Sequence, residues 1–433
     1  MAAEPAPGRL SSASAKLPER RRKRFIDRLP RLDRSRPGLD LDAALPAMVL
    51  WVGPSPLQHG SLGVFRSLGR AGVPVYTVVG ERFAPIAWSR YVKGRILWQP
   101  HRGEDEQQLL DRLLDFGRRL GRRPLIVCTS DEMAVFAARH RDVLQECYVL
   151  PEVDPELPAD LVDKRQLDRK CIEHGVRAPK SAFVHTMAEL EAVADKLDAP
   201  MVVKSAGPRG PDRRVENTLV LPDGNALREL AGTLAEPFDL TIQEYLPDEH
   251  SEDWFTVGYC DTAAAAKVIF TGVKGRSWPT RGGALSAGFT AENGALAEMA
   301  ASFCAAIGYR GIFDMDWRHD LNTGTYTLLD FNPRPGAQFR MFENDAGVDV
   351  VRAMHLDLSG RPIPAGAEVI GERFIIEPWD LANWLAHRPR PGLGGAGRPR
   401  LAYLCADDPL PVLAAVVYQG FLSVKARLRF RSA

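Results

Sequence analysis

Hydrophobic positions first gather into a continuous run at Ala47-Met48-Val49-Leu50-Trp51-Val52, closed by Gly53. A helical pattern over residues 61–71 follows, and then a second apolar run over 73–79. Strand, helix and strand within about 30 residues predict a βαβ unit and a parallel sheet. The pattern goes on with a polar helix over 104–120 and a strand over 124–128. Thr129-Ser130-Asp131-Glu132 then predicts the cap of another helix.

A second block starts near Leu161. Asp163-Lys164 opens a charged helix over 165–174 that stops at Gly175. Strands are predicted over 200–204, 218–221 and 240–246, with a helix over 225–235 between the last two. Further strands fall over 253–259, 265–272, 311–317 and 325–331. From about Gly366 the pattern is mixed. No internal repeat is present. Residues 1–45 are rich in Pro, Ala, Ser and Arg, contain Arg20-Arg21-Arg22-Lys23-Arg24 and lack periodicity, which predicts a disordered basic tail.

Composition narrows the function classes. The chain has 433 residues, enough for two to three domains, and 45% hydrophobic residues, enough for packed cores. A formal charge of +1 supplies no field for nucleic acid. No apolar run reaches the ~18 residues of a membrane helix, so stable membrane insertion is not expected. Six cysteines occur without a CxxC pair or a Cys/His cluster, which suits free thiols in a cytoplasmic protein. The first strand leads into Gly53-Pro54-Ser55-Pro56-Leu57-Gln58-His59-Gly60 rather than GxGxxG. Two prolines there remove amide donors that a pyrophosphate would need, so a dinucleotide site is not expected.

The densest chemistry lies in Thr327-Leu328-Leu329-Asp330-Phe331-Asn332-Pro333-Arg334-Pro335-Gly336. Asp330 and Asn332 are two apart on a strand and face the same way, with Arg334 presented after the ladder is stopped by Pro333. The preceding strand carries Asp314 and Asp316 on one face, and Asn322-Thr323-Gly324 marks the tip of a hairpin. Counting back symmetrically from that tip sets Asp316 near Asp330. Oxygen ligands from Asp316, Asp330 and Asn332 beside a guanidinium suit a magnesium ion that carries phosphate oxygens.

Through this acidic residue–x–Asn–Pro–Arg ending and the upstream Asp316, residues 47–361 resemble the ATP-grasp superfamily. Within it they resemble the carboxylate–amine ligase-like group related to carbamoyl-phosphate synthase ATP-binding domains. The chain has Asp330 where many relatives have Glu. The resemblance implies an α/β protein, α+β in its ATP-grasp part. Its domains are a disordered tail (1–45), a Rossmann-like pre-ATP-grasp domain (46–155), a two-lobed ATP-grasp domain (156–362) and a small C-terminal subdomain (363–433). It implies ATP with Mg²⁺, or Mn²⁺ in its place, with Asp316, Asp330 and Asn332 as ligands and Arg334 on the transferring group. Lys204, ending Pro200-Met201-Val202-Val203-Lys204, and Lys164 match phosphate-contacting lysines. Gln243, Glu244, Tyr245 and Leu246, in Ile242-Gln243-Glu244-Tyr245-Leu246-Pro247-Asp248, match the segment that holds adenine. Glu252 is the choice for the ribose among Glu249, Glu252 and Asp253. Residues 205–214, with Arg209, Arg213 and Arg214, match the loop over the phosphates, and Arg276 and Arg281 are candidates for gripping the acyl substrate.

The activity so implied joins a small-molecule carboxylate, such as an amino acid, to an amine through an acyl phosphate, and a homodimer is compatible with it. The alternatives are a bicarbonate-activating carboxylase or carbamoyl-phosphate-type enzyme, and a non-catalytic ATP-binding regulator.

Overall fold

The computed structural model describes residues 39–53, 58–194, 196, 199–205, 219–278, 283–386 and 393–418. Most of the predicted tail, residues 206–214 of the stretch matched to the phosphate loop with Arg209, Arg213 and Arg214, and Arg281 lie outside the described residues.

The N-terminal part is the predicted parallel sheet. Its strands are β1 (Ala47–Leu50), β2 (Val75–Val79), β3 (Val92–Leu97) and β4 (Leu125–Cys128), in the order β3-β2-β1-β4. Three helices serve it: α1 (His59–Arg70), α2 (Glu106–Leu120) and α3 (Asp131–Arg139). Alternation along β1 sorts the layers. Ala47 and Val49 join Leu62, Phe65 and Leu68 of α1 on one face, while Met48 and Leu50 join Leu109 and Leu113 of α2 and Phe136 of α3 on the other. Helix α2 starts with a capping box, in which Asp105 accepts from the Gln108 amide and the Gln108 side chain returns the bond.

A small antiparallel sheet follows, ordered β5 (Ser181–Val184), β8 (Leu240–Glu244), β6 (Met201–Ser205) and β7 (Leu219–Leu221). Helices α5 (Met187–Ala194) and α6 (Gly224–Ala231) pack on it through Leu190 and Leu227. The helix α4 (Lys164–Glu173) begins at Asp163, whose carboxylate accepts from the Arg165 and Gln166 amides.

The large sheet has seven strands. In spatial order they are β13 (Thr325–Asn332), β12 (Gly311–Asp320), β9 (Ser251–Cys260), β10 (Ala266–Trp278), β11 (Ala284–Thr290), β14 (Arg373–Ile375) and β15 (Pro399–Leu401). Helix α7 (Gly294–Ala306) covers one part, and α8 (Val350–Leu358) joins it to the core of the N-terminal sheet. Among the described residues no helix is long and apolar enough to cross a membrane.

Two boundaries differ from the sequence reading. The C-terminal segment is not a separate subdomain among the described residues: β14 and β15 extend the large sheet, and α9 (Glu377–Ala386) packs on β10 and β11. It also reaches back to α1. Arg66, 2% exposed, donates Nε to Asp408 Oδ2 at 3.0 Å and Nη2 to the carbonyls of Tyr403 and Asp408. Three-residue strands carry too few positions for a period to show, which is why the pattern was silent there.

Residues 39–45, assigned to the tail, belong to the folded body. Leu41 is buried in the same core as β1, and the Leu45 carbonyl lies 2.9 Å from His355 Nε2. Burial of one leucine contributes about 1.5–3 kcal/mol. A chain lacking 1–45 is therefore expected to melt several degrees below one lacking only 1–38, as read by calorimetry. Equal midpoints would show that Leu41 contributes nothing.

Candidate active site

The hairpin β12–β13 pairs in the register counted from its turn: Asp316 opposes Asp330 and Asp314 opposes Asn332. The tip is held by Asp320, whose Oδ1 accepts from the Asn322 amide at 2.8 Å, and Gly324 takes φ +70°. After Asp316–Asp330 the pairing slips to Trp317–Leu328, leaving Leu329 as an extra residue. The carbonyl of that bulged residue accepts from Lys164 Nζ at 3.0 Å, and the same ammonium reaches Asp330 Oδ1 at 2.5 Å. Lys164 is the first residue of α4, so the Asp163 cap fixes where its side chain starts.

These groups line a cavity of about 640 Å³ between the small and large sheets, of a size suited to a nucleotide or a small substrate. Lys204 enters from β6 and donates to Gln243 Oε1 at 3.0 Å, while Gln243 Nε2 donates to Ser181 Oγ at 2.9 Å. Burial, and then the charge of Lys164, hold the Lys204 ammonium below its ordinary range. Burial works against the Asp330 charge, but Lys164, Arg334 and Lys204 outweigh it and keep that carboxyl low. Asp314 and Asp316 go the other way. Burial pushes both up, and mutual repulsion adds to it for Asp314, as the Asp330 charge does for Asp316.

Arg334 leaves the end of β13 and is gripped from the N-terminal domain. Its Nε donates to Asp131 Oδ1 at 2.9 Å, its Nη2 reaches Asp131 Oδ2 at 3.3 Å, and Nη2 also donates to Asn332 Oδ1 at 2.8 Å. Asp131, expected as part of a helix cap, is thus the partner of Arg334. Asn332 Nδ2 donates to the Asp314 carbonyl, and Gln338 Nε2 donates to Asp314 Oδ1 at 2.8 Å. Gly336 follows from crowding, since a Cβ there would strike the Asp314 carboxylate and the Gln338 amide.

The residues present fit a divalent cation. The Asp316 and Asp330 carboxylates, opposed on adjacent strands, and the Asn332 amide oxygen form a donor set of hard oxygens on one wall of the cavity. Among the described residues no group of three His, Cys, Asp or Glu side chains forms a metal cage.

The sequence-predicted residues mostly meet in this cavity. Lys164, Lys204, Gln243, Glu244, Tyr245, Leu246, Asp316, Asp330, Asn332 and Arg334 all line it. The Glu244 carboxylate accepts from the Lys180 amide at 3.2 Å. Glu252 is a correction. Strand β9 begins at Ser251, and within it Asp253 lines the cavity, while Glu252 accepts from Trp254 Nε1 outside its walls.

Arg276 is the second correction. It is 7% exposed and donates Nε to Asp380 Oδ1 at 2.8 Å, bracing α9 against β10 rather than facing the cavity. Pairing irregularities between Val273 and Ser277 break the strand's simple alternation. Lys274 and Ser277 are the β10 residues that line the wall. The sequence reading ended this strand at Gly272 and so passed over Lys274.

Arg318 was also missed. Its Nε donates to Asp253 Oδ1, and its Nη1 donates to the Leu246 carbonyl and to Asp248 Oδ1, at 2.7–2.8 Å. It pins the 245–248 segment to the large sheet. Asp248 serves here as its partner.

No family model matches the chain. No curated protein matches it by sequence either. Solved structures do match in fold. An L-amino acid ligase from Bacillus licheniformis aligns with a TM-score of 0.56 at 16% identity, over 72% of this chain and 74% of that one. An N5-carboxyaminoimidazole synthetase from Staphylococcus aureus complexed with ADP gives 0.55 at 15%, over 75% and 80%. A biotin carboxylase–ATP analogue complex from Campylobacter jejuni gives 0.56 at 12%, over 76% and 74%. The shared architecture shows that this chain has the ATP-grasp fold.

Proposed function

We propose that the protein is an ATP-dependent ligase that joins a carboxylate to an amine through an acyl phosphate, releasing ADP and phosphate. The observation that carries this reading is the convergence in one cavity of the opposed Asp316–Asp330 pair, Lys164, Lys204 and an Arg334 held by Asp131. Nucleotide binding alone has no need of the guanidinium beyond the carboxylates. The fold neighbours that are ligases, or that carry ADP or an ATP analogue, support the same reading.

In this mechanism Gln243 to Leu246 hold the adenine, and Lys164 and Lys204 neutralise the triphosphate. Asp316, Asp330 and Asn332 would hold Mg²⁺, which supplies charge neutralisation at the phosphates. A carboxylate oxygen of the substrate attacks the γ-phosphorus, the bond to the β-phosphate oxygen breaks, and ADP leaves. Arg334 stabilises charge on the phosphoryl group in flight. The amine nitrogen then attacks the acyl carbon, the carbon–oxygen bond to phosphate breaks, and the amine's proton passes to solvent. An acyl phosphate must be kept from water, which the cavity between two sheets favours. Apolar walls at Leu285 and Ile376 suit an organic carboxylate better than bicarbonate.

The test is ADP and phosphate release by the full chain with MgATP and paired amino acids as carboxylate and amine, with mass spectrometry for the amide. Release is expected to need both partners and to match amide formed. Release that needs neither, or none with any pair, would remove the reading.

A further inference from the structure

One stretch of the cavity wall has no role in the steps above. It is built by α1, β11, the turn after β13 and α9, and comprises His59, Leu285, Ala337, Gln338, Ile376 and Trp379. Gln338 joins this patch to the hairpin through its bond to Asp314. His59 is 8% exposed, and among the described residues its Nδ1 has no hydrogen-bond partner. Nδ1 is shut away from the cavity that His59 lines, so Nε2 is the ring nitrogen left to meet a ligand group. The ring is set by edge contacts at 5.4 Å to Trp379 and 5.6 Å to Tyr403.

Electrostatics says which kind of group. Burial, then the charges of Arg340 and Arg334, push the His59 pKa down to about 3, so the imidazole is neutral at neutral pH. A neutral imidazole still donates through one ring nitrogen. Of these causes, the charges of Arg340 and Arg334, which oppose a proton on the ring, favour an anion beside it. Around that polar spot the walls are apolar.

We propose that this patch is the carboxylate subsite and takes a monocarboxylate with an apolar, branched or aromatic body, the His59 imidazole hydrogen-bonding its carboxyl group while Leu285, Ile376 and Trp379 cover the body. The proposal deepens the ligase reading, and it rests on that reading for what happens to the bound acid but not for binding itself.

Calorimetry on the full chain with Mg²⁺ and a non-hydrolysable ATP analogue tests it, with 3-phenylpropanoate, 3-phenylpropanamide and glutarate as probes. The monocarboxylate is expected to bind, and the amide and the dicarboxylate to bind weaker by roughly tenfold or more. His59→Ala and Trp379→Ala should each weaken 3-phenylpropanoate by roughly tenfold while nucleotide affinity stays within about twofold. Equal binding of the amide or glutarate by the unaltered chain overturns the proposal, and so does binding of none of the three when the nucleotide analogue binds. Unchanged affinity in folded variants overturns it too. Should a variant fold poorly, the three-probe comparison on the unaltered chain still decides. The expected binding without amide formation would sink the ligase reading alone. Amide formation only from polar acids would sink the subsite alone.

Discussion

Asp330→Asn is expected to lower the rate of ADP release by about a hundredfold or more, equivalent to roughly 2.7 kcal/mol of barrier. The substitution nearly conserves volume, and an amide oxygen can still accept from Lys164, so the hairpin should persist. The Lys164–Asp330 pair is 31% and 40% exposed, which limits its part in stability. What changes is charge. Asp330 is the carboxylate that its surroundings hold ionised, whereas Asp314 and Asp316 are pushed toward their neutral forms. Removing it leaves Lys164 facing a hairpin that binds Mg²⁺ more weakly. Partial recovery at high Mg²⁺ or with Mn²⁺ is expected, and a calorimetric Mg²⁺ titration in the presence of ATP should show the weakened affinity directly. Normal turnover at millimolar Mg²⁺ would show that Asp330 is no ligand.

The second large effect is expected at Lys204. Lys204→Ala should raise the KM for ATP by about tenfold or more, with the melting midpoint little changed. The ammonium sits near a second one, Lys164, in a partly buried wall, an arrangement that is unfavourable until an anion arrives. The triphosphate would relieve it, so the lysine's contribution should be concentrated in nucleotide binding. Among the described residues the substitution removes that ammonium's bond to Gln243 Oε1, and Gln243 keeps its bond to Ser181. Unchanged ATP affinity by calorimetry would take Lys204 out of the site.

How much of this was legible in the sequence depended on whether a local rule governed it. The opposition of Asp316 and Asp330 could be counted because a hairpin turn sets register for everything near it. Lys164 and Lys204 came from the resemblance to phosphate-contacting lysines rather than from any local pattern. Glu252 was picked among three neighbouring acids that no local rule separates, and of the three it is Asp253 that lines the cavity. Arg276 was offered beyond the predicted end of its strand at Gly272, whereas it lies within β10 and is held by Asp380. The Asp131–Arg334 pair spans 203 positions and the His59 environment joins α1 to α9. Neither leaves a local pattern, because tertiary packing alone creates it.

The bond between Arg66 and Asp408 spans 342 positions, and it bears on how the chain is made. At roughly 5–20 residues per second, the first helix leaves the ribosome on the order of tens of seconds before its buried partner. Through that interval Arg66 has neither Asp408 nor the Ala402 and Tyr403 carbonyls to take its protons. An unpaired guanidinium is costly to bury, so α1 cannot settle fully against the sheet beside it. The N-terminal sheet, first to be synthesised, should therefore be among the last parts to close, and the nascent chain would carry an exposed apolar face of α1 that invites chaperone binding.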